Sequence, residues 1–345
     1  MHRTVFAFAA VLAGIALSAA ADTASHYKLV HTFVLGGDGG WDYLSFDTPG
    51  QRLFISRSNR VQVMDTSGKL LGEVPGTNGV HGIALAPEVG KGFTTDGQDD
   101  SVTVFDLKSL RVTAQIKIPG DHPDAIAYDP MTKRVFTFNG RSDDSTVIDA
   151  ASDKVLGTIP LSGRPEASVA DGQGRVYVNI EDKSELTAID AKAMQVISTW
   201  SLAPCDSPSA IAMDAAHRRV FSGCEGKLMA VSDADAGKVV ATVPIGDGVD
   251  AGDFDPGLGL VFMACGEGVL SVIHEDSPDH YTKLEDAATE KYARTLGLDK
   301  AHHDVYLVTA DLKFTPAPAG ATGGAARPKR SVLPDSFRVL VMHRP

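Results

Sequence analysis

Cysteine is scarce in this chain of 345 residues: Cys205, Cys224 and Cys265 are its only three. No C-x-x-C pair or Cys/His spacing accompanies them, which excludes a zinc site of the finger type. Positive charge is also short. Lys and Arg number 32 against 44 Asp and Glu, a net charge of −12, and a surface that acidic repels phosphate backbones and argues against nucleic acid as a partner. Beyond residue 17 no apolar run approaches the ~20 residues needed to span a bilayer. Helical periodicity is missing too, apart from Glu285 to Lys291, which reads as one short turn. There is no G-x-S-x-G elbow, no H-E-x-x-H and no P-loop. Asp233-Ala-Asp-Ala-Gly237 opens like a calcium loop, but Pro244 stands where the closing Glu belongs, so it reads as a hairpin turn.

What the chain has is repetition. A short phrase returns seven times, beginning at Asp42, His81, Asp124, Glu166, Ser209, Asp250 and Arg294, as in Asp124-Ala-Ile-Ala-Tyr-Asp129 and Ser209-Ala-Ile-Ala-Met-Asp214. A period of about 40 to 45 residues with several short strands per unit marks a β-propeller. After each phrase comes a second apolar run, such as Arg134 to Phe138 or Arg175 to Val178. A third ends in an acidic turn, as at Asp106, Asp149 and Asp190, and a fourth starts on a basic or polar residue, as at Lys154 and Gln195. These β-branched and aromatic runs, bounded by Gly, Asp and Asn, are strand chemistry. Four strands per unit and seven units predict an all-β, seven-bladed propeller over residues 22–345 as one domain.

The last unit lacks a fourth strand, and Lys28-Leu-Val-His-Thr-Phe-Val-Leu35 overlays the fourth strand Lys154 to Leu161 of another unit. The N-terminal strand is therefore predicted to close blade seven, removing the open sheet edges and favouring a monomer. Residues 315–330, rich in Pro, Gly and Ala, read as a surface loop inside that blade, and Arg327 to Arg330 as its solvated end. Residues 1–21 read as a secretory signal peptide: a basic start at His2-Arg3, an apolar Val5 to Leu17, and an Ala19-Ala-Ala21 cleavage site. The expected location is the periplasm or the secreted milieu.

The cysteines fit that compartment. Cys205 lies in the loop leading into blade five and Cys224 ends the second strand of the same blade, on the face where innermost strands begin. Cys265 holds the place of Cys224 one blade on, and equivalent positions in neighbouring blades diverge beyond the ~7 Å Cα separation a disulfide spans. A Cys205–Cys224 disulfide with Cys265 free is the expectation.

The first residue of each innermost strand faces the channel mouth, so Asp42, His81, Asp124, Glu166, Ser209, Asp250 and Arg294 should form a ring. Arg57, Asp96, Asn139 and Thr309 end second strands on the same face, with Arg141 just beyond, and Asn179, Glu181 and Asp182 follow in blade four. Carboxylates converging in one funnel are costly unless paired, hydrated or bound to a cation. Ring and rim give a candidate ligand set of Asp42, His81, Asp124, Asn139, Arg141, Glu166, Asn179, Asp250 and Arg294. Within it Asp124, Glu166 and Asp250 could hold a hard cation such as Ca²⁺ or Mg²⁺, while His81 also admits a transition metal. The same ring suits a water-filled channel whose polar groups satisfy one another. Gly36 to Gly40 reads as a tight connection into Trp41, with an anion cradle as the alternative, and His302-His303 as a solvated turn.

Arg134-Val-Phe-Thr-Phe-Asn139, Ser145-Thr-Val-Ile-Asp149 and Lys154-Val-Leu-Gly-Thr-Ile159 resemble the repeats of the YVTN-type, YncE-like bacterial propellers. Phrases such as Gly39-Gly-Trp-Asp42, Asn139-Gly-Arg-Ser142, Asn179-Ile-Glu-Asp-Lys-Ser184 and His274-Glu-Asp-Ser-Pro278 resemble an exported subgroup. Ala264-Cys265 departs from the Ser-Asn-like pair of that subgroup, which favours an unpaired Cys265. The resemblance implies a propeller related to quinoprotein amine dehydrogenase heavy chains and to lactonase-type propellers, with no settled reaction. Two functions follow. One is an exported binding or scaffold protein that takes a small molecule, a metal or an exported protein at the channel mouth. The alternative is a metal-dependent hydrolase of lactonase type, with catalytic candidates His81, Glu166 and Arg294: His81 or Asp42 would move the proton and Arg294 would neutralise an oxyanion. A quinone-cofactor subunit is disfavoured, because its tryptophan pair and vicinal cysteines are not apparent.

Overall fold

A computed structural model describes residues 26–316 and 329–345. It is a seven-bladed propeller of seven four-stranded antiparallel sheets. The innermost strands of blades one to seven are Leu44–Asp47, Val80–Ala86, Pro123–Asp129, Pro165–Ala170, Pro208–Asp214, Val249–Asp255 and Leu296–Asp299. Blade seven is composite. Its outermost strand is Lys28–Val34, which pairs antiparallel with Arg338–His343, Thr32 opposite Leu340 and Phe33 opposite Val339. The predicted closure is what the structure contains. Residues 1–25, with the proposed signal peptide, lie outside the described residues, and no described helix is long and apolar enough to cross a membrane.

The burial of each strand follows from its place in the blade. The second and third strands are covered on both faces by neighbouring blades, so Phe54, Phe93, Phe136, Tyr177, Phe221 and Phe262 are fully buried. Outermost strands of blades one to six bury one inward residue each, such as Val74, Ile159, Trp200 or Val243, and that of blade seven buries none. The core is accordingly a set of inter-blade clusters. Between blades six and seven Phe262 meets Leu270, Leu296, Leu307 and the edge-on ring of Tyr27. The acidic turns have a local cause. Asp106 and Asp149 each accept the amide and hydroxyl of the serine three residues on, and Asp190 and Asp233 accept turn amides, so each carboxylate folds its own hairpin.

Three local expectations are corrected. The turn predicted for Glu285 to Lys291 falls largely within the strand His280–Ala288, where exposure alternates residue by residue and buries Ala287. A period of two overrides weak helix propensity at an edge. The loop predicted over 315–330 begins and ends in a ribbon: Leu312–Thr315 pairs with Lys329–Val332, Phe314 opposite Arg330. Its Pro/Gly/Ala centre, 317–328, is outside the described residues. His303 is not simply solvated, since its Nδ1 lies 2.6 Å from Asp255 Oδ2 of blade six, whereas His302 is exposed beside Asp299.

Candidate functional site

The ring at the mouth is built by a repeated irregularity. In blades two to six the innermost strand slips register against the second strand just after its first residue, between Val80 and Ile83, Pro123 and Ile126, Pro165 and Ser168, Pro208 and Ala210, and Val249 and Ala251. His81, Asp124, Glu166, Ser209 and Asp250 all sit in these bulges, a device that re-aims a side chain. Asp42 lies just ahead of Leu44–Asp47, its amide donating to Ser56 Oγ at 3.0 Å, and Arg294 just ahead of Leu296–Asp299.

One arc of the ring is tightly knit. His81 Nδ1 lies 2.5 Å from Asp42 Oδ2 and 3.6 Å from Asp124 Oδ1, and ligand atoms of all three residues fall within 4.8 Å of one another. His122 adds a second imidazole, its ring centroid 5.4 Å from that of His81, with Nδ1 3.0 Å from the Gly97 carbonyl. Gly97 wedges between the two rings, where a Cβ would come within 3.0 Å of His81 and 3.2 Å of His122. On the far arc Arg294 pairs with Asp250 at 3.2 Å, and Arg164 pairs with Glu181.

Acids outnumber cations here, and burial magnifies the imbalance. Burial, then Asp124, Glu181, Asp250 and Asp42, hold Glu166 well above the usual carboxylate range. Asp250 is pushed up to about 7 by burial against the opposing pull of Arg294, with Asp42, Asp124 and Glu181 adding to the rise. Asp124 rises to about 6 through burial, moderated by His81. Burial alone would lower His81, but its bond to Asp42 and the charges of Asp124 and Asp42 raise it to about 9. The mouth favours protons or another cation.

Several sequence candidates do other work. Asn139 is fully buried and bonded inside its blade, accepting from Thr137 and donating to Asp144 and Thr146. Asn179 donates to the Ala210 carbonyl and accepts from Ser222, tying blade four to blade five. Both amides are therefore engaged by the fold that buries them: Asn139 spends both of its N–H donors within its blade, and Asn179 spends one donor and one acceptor on blade five. Ser209 donates to the Val249 carbonyl. Arg141 is an exposed rim residue 3.8 Å from Asp121. Arg57 is buried: it donates to the Gly36 and Asp38 carbonyls and to Gln62, and stacks 3.6 Å from the Phe337 ring. The glycine loop therefore turns carbonyls towards a guanidinium, the opposite of an anion cradle. The three-residue cluster joins Asp124 to Asp42 and His81, not to Glu166 and Asp250. Spacing around the ring accounts for Asp250, which stands three blades from Asp124; Glu166, one blade on, contributes no ligand atom to the cluster.

Sequence reasoning passed over Tyr43. It packs against the cluster of blades three and four, across the channel from its own blade, and lines an axial cavity of about 410 Å³ with Gly82, Ala125, Ala167, Gly252 and Asp250. Its hydroxyl is held well above the ordinary value by burial and by Glu166, Asp124, Asp42 and Asp250. The signal was present in the repeats. The second place of the phrase is Gly82, Ala125, Ala167, Ala210, Ala251 and Thr295 elsewhere, and only blade one puts a large ring there. His122 had no such signal, since it precedes the phrase.

Cys205 and Cys224 form a disulfide with a Cα separation of 5.7 Å, and Cys265 is free and buried, its thiol pushed up to about 11 by burial.

No family profile matches this chain, and no curated protein does. Solved structures do. Hydrazine synthase of Kuenenia stuttgartiensis aligns with a TM-score of 0.68 at 16% identity, covering 78% of this chain and 92% of that one. The U3-55K protein aligns at 0.71 and 10% identity, covering 91% and 97%, and the RRP9 WD40 repeats at 0.72 and 10%, covering 92% and 97%. The likeness is one of fold. At such identities it establishes a seven-bladed, WD40-like propeller and carries neither a role nor a site residue across.

Proposed function

We propose that this chain is an exported binding protein of YncE-like type whose channel mouth takes a divalent cation, or a small molecule bearing positive charge, at Asp42, His81 and Asp124. The observation that carries the reading is the convergence of those three side chains, from three blades, within one ligand sphere at the acidic end of the channel. Two carboxylates and an imidazole admit a divalent ion. Glu166, Asp250 and Glu181 supply further negative charge around it, and Arg294 and Arg164 are already committed to two of these acids. A buried disulfide is compatible with export. A small molecule or an exported protein would then be recognised at the same mouth.

The test is metal content and calorimetric titration of Ca²⁺, Mg²⁺, Mn²⁺ and Zn²⁺ into EDTA-stripped protein, with melting followed in parallel. Saturable binding at the mouth, lost in Asp42→Asn/Asp124→Asn, supports the reading. Protein in which that double substitution removes no binding of any of the four ions, and whose melting ignores EDTA, refutes the cation. A second reading, lactonase-type hydrolysis, is favoured by one feature: the Asp42–His81 hydrogen bond orients an imidazole that could move a proton beside a cation. Turnover of lactones that disappears in His81→Gln and on chelation would establish it.

A further inference from the structure

The most unusual charge cluster away from the mouth lies at the opposite end of blades five and six. The innermost strand of blade five ends at Asp214, and the turn after it carries His217. Asp214 Oδ1 accepts the Ala216 amide at 2.9 Å, and Oδ2 lies 2.5 Å from His217 Nδ1. The Asp–His pair recurs as Asp299–His302, 2.7 Å apart, and Asp255–His303, 2.6 Å apart. Only the first of these pairs gains a third ligand-type group among the described residues.

That group is Glu275, and an elaboration of blade six delivers it. Third strands of blades one to five are six residues long and stop at Asp65, Asp106, Asp149, Asp190 and Asp233. In blade six the strand runs for nine, Val269–Ser277, passing His274 at the equivalent place and continuing to Glu275, whose amide donates to the Gly259 carbonyl at 2.9 Å. The Glu275 side chain is 4% exposed. Its Oε1 lies 3.4 Å from His217 Nδ1 and makes no hydrogen bond. The nearby cation, Arg219, is committed to Asp233 at 3.2 Å, to Asp279 at 2.9 Å and to the Pro278 carbonyl. Two dry carboxylates thus face each other with one half-exposed imidazole as the open side.

We infer that Asp214, His217 and Glu275 form a second divalent-cation site of transition-metal type, suited to Zn²⁺ or Mn²⁺. The ligand atoms lie within 4.8 Å of one another. One imidazole nitrogen with two carboxylate oxygens is a zinc-type donor set, whereas a calcium site would be all oxygen. His217, 55% exposed, leaves the solvent side free for a water ligand. The competing arrangement is a single proton shared between Asp214 and Glu275, which excludes the metal.

The experiment uses the mature full-length chain with the mouth disabled by Asp42→Asn/Asp124→Asn, stripped with EDTA. Zn²⁺ and then Mn²⁺ are titrated calorimetrically. One saturable equivalent is expected, weakened at least ~10-fold by Glu275→Gln and again by His217→Gln. His217 is on the surface, so its variant keeps the fold, and metal-free melting curves verify both. No saturable binding in the mouth-disabled chain, or binding that both substitutions leave intact, overturns the site.

Discussion

Replacing Asp96 by Asn should stabilise this protein at alkaline pH. Asp96 is fully buried at the end of the second strand of blade two, accepting from Thr94 at 2.8 Å and from Thr103 at 2.6 Å. Burial raises its pKa from 3.8 to about 7, against the lowering effect of both hydroxyls. A folded pKa above the unfolded one means that the folded state holds the proton more tightly. The penalty of the charge is therefore absent below about pH 4, grows between 4 and 7, and is complete above 7. At ~1.36 kcal/mol for each pH unit between the two values, the ceiling is ~4 kcal/mol, and structural relaxation should leave ~2 kcal/mol. Asparagine fits because blade three already uses it: Asn139 accepts from Thr137 and donates to Thr146 at 3.1 Å, the places that Thr94 and Thr103 hold in blade two. Urea unfolding at pH 4.5 and pH 8.5, followed by tryptophan fluorescence, measures the difference. The variant should match the native protein at the lower pH to within ~1 kcal/mol and exceed it by ~2 kcal/mol at the higher. A variant less stable at pH 8.5, or a difference that ignores pH, would show that the charge of Asp96 is not what its burial implies.

Cation affinity at the mouth should rise about tenfold per pH unit from pH 6 towards 9, because His81, raised to about 9, must release its proton to bind; calorimetry in buffers of different ionisation heat would detect that proton, and a flat profile would remove His81 from the ligand set. Gly97→Ala should weaken the same binding without unfolding the chain, since the new methyl pushes on both His81 and His122; unchanged affinity would mean that neither ring position matters. Replacing Cys205 and Cys224 by serine opens a link across a sequence separation of 19 and should lower stability by ~3 kcal/mol in urea titrations. Deleting Lys28–Val34 exposes the edge of Arg338–His343, so size-exclusion chromatography should show association where the intact chain gives a single species.

Repetition made the propeller legible in the sequence, because each blade must solve the same packing problem with the same alternation of buried and turn residues. The closing strand was legible for the same reason, as Lys28 to Leu35 carries the pattern of a fourth strand with no blade of its own. The ring positions His81, Asp124, Glu166 and Asp250 followed from register within the repeat. Which of them meet did not follow. The Asp42–His81–Asp124 cluster depends on the spacing of three blades and on the bulges that swing each side chain inward. For Asn139 and Asn179 the sequence shows a polar residue at the right face but not the partners each already bonds. Tyr43 crossing the channel, His122 leaning on Gly97 and Glu275 overhanging Asp214 are contacts between residues tens of positions apart or more. A periodic pattern fixes what every blade shares. The chemistry lies where one blade departs from the rest, and only the folded ring decides what such a departure touches.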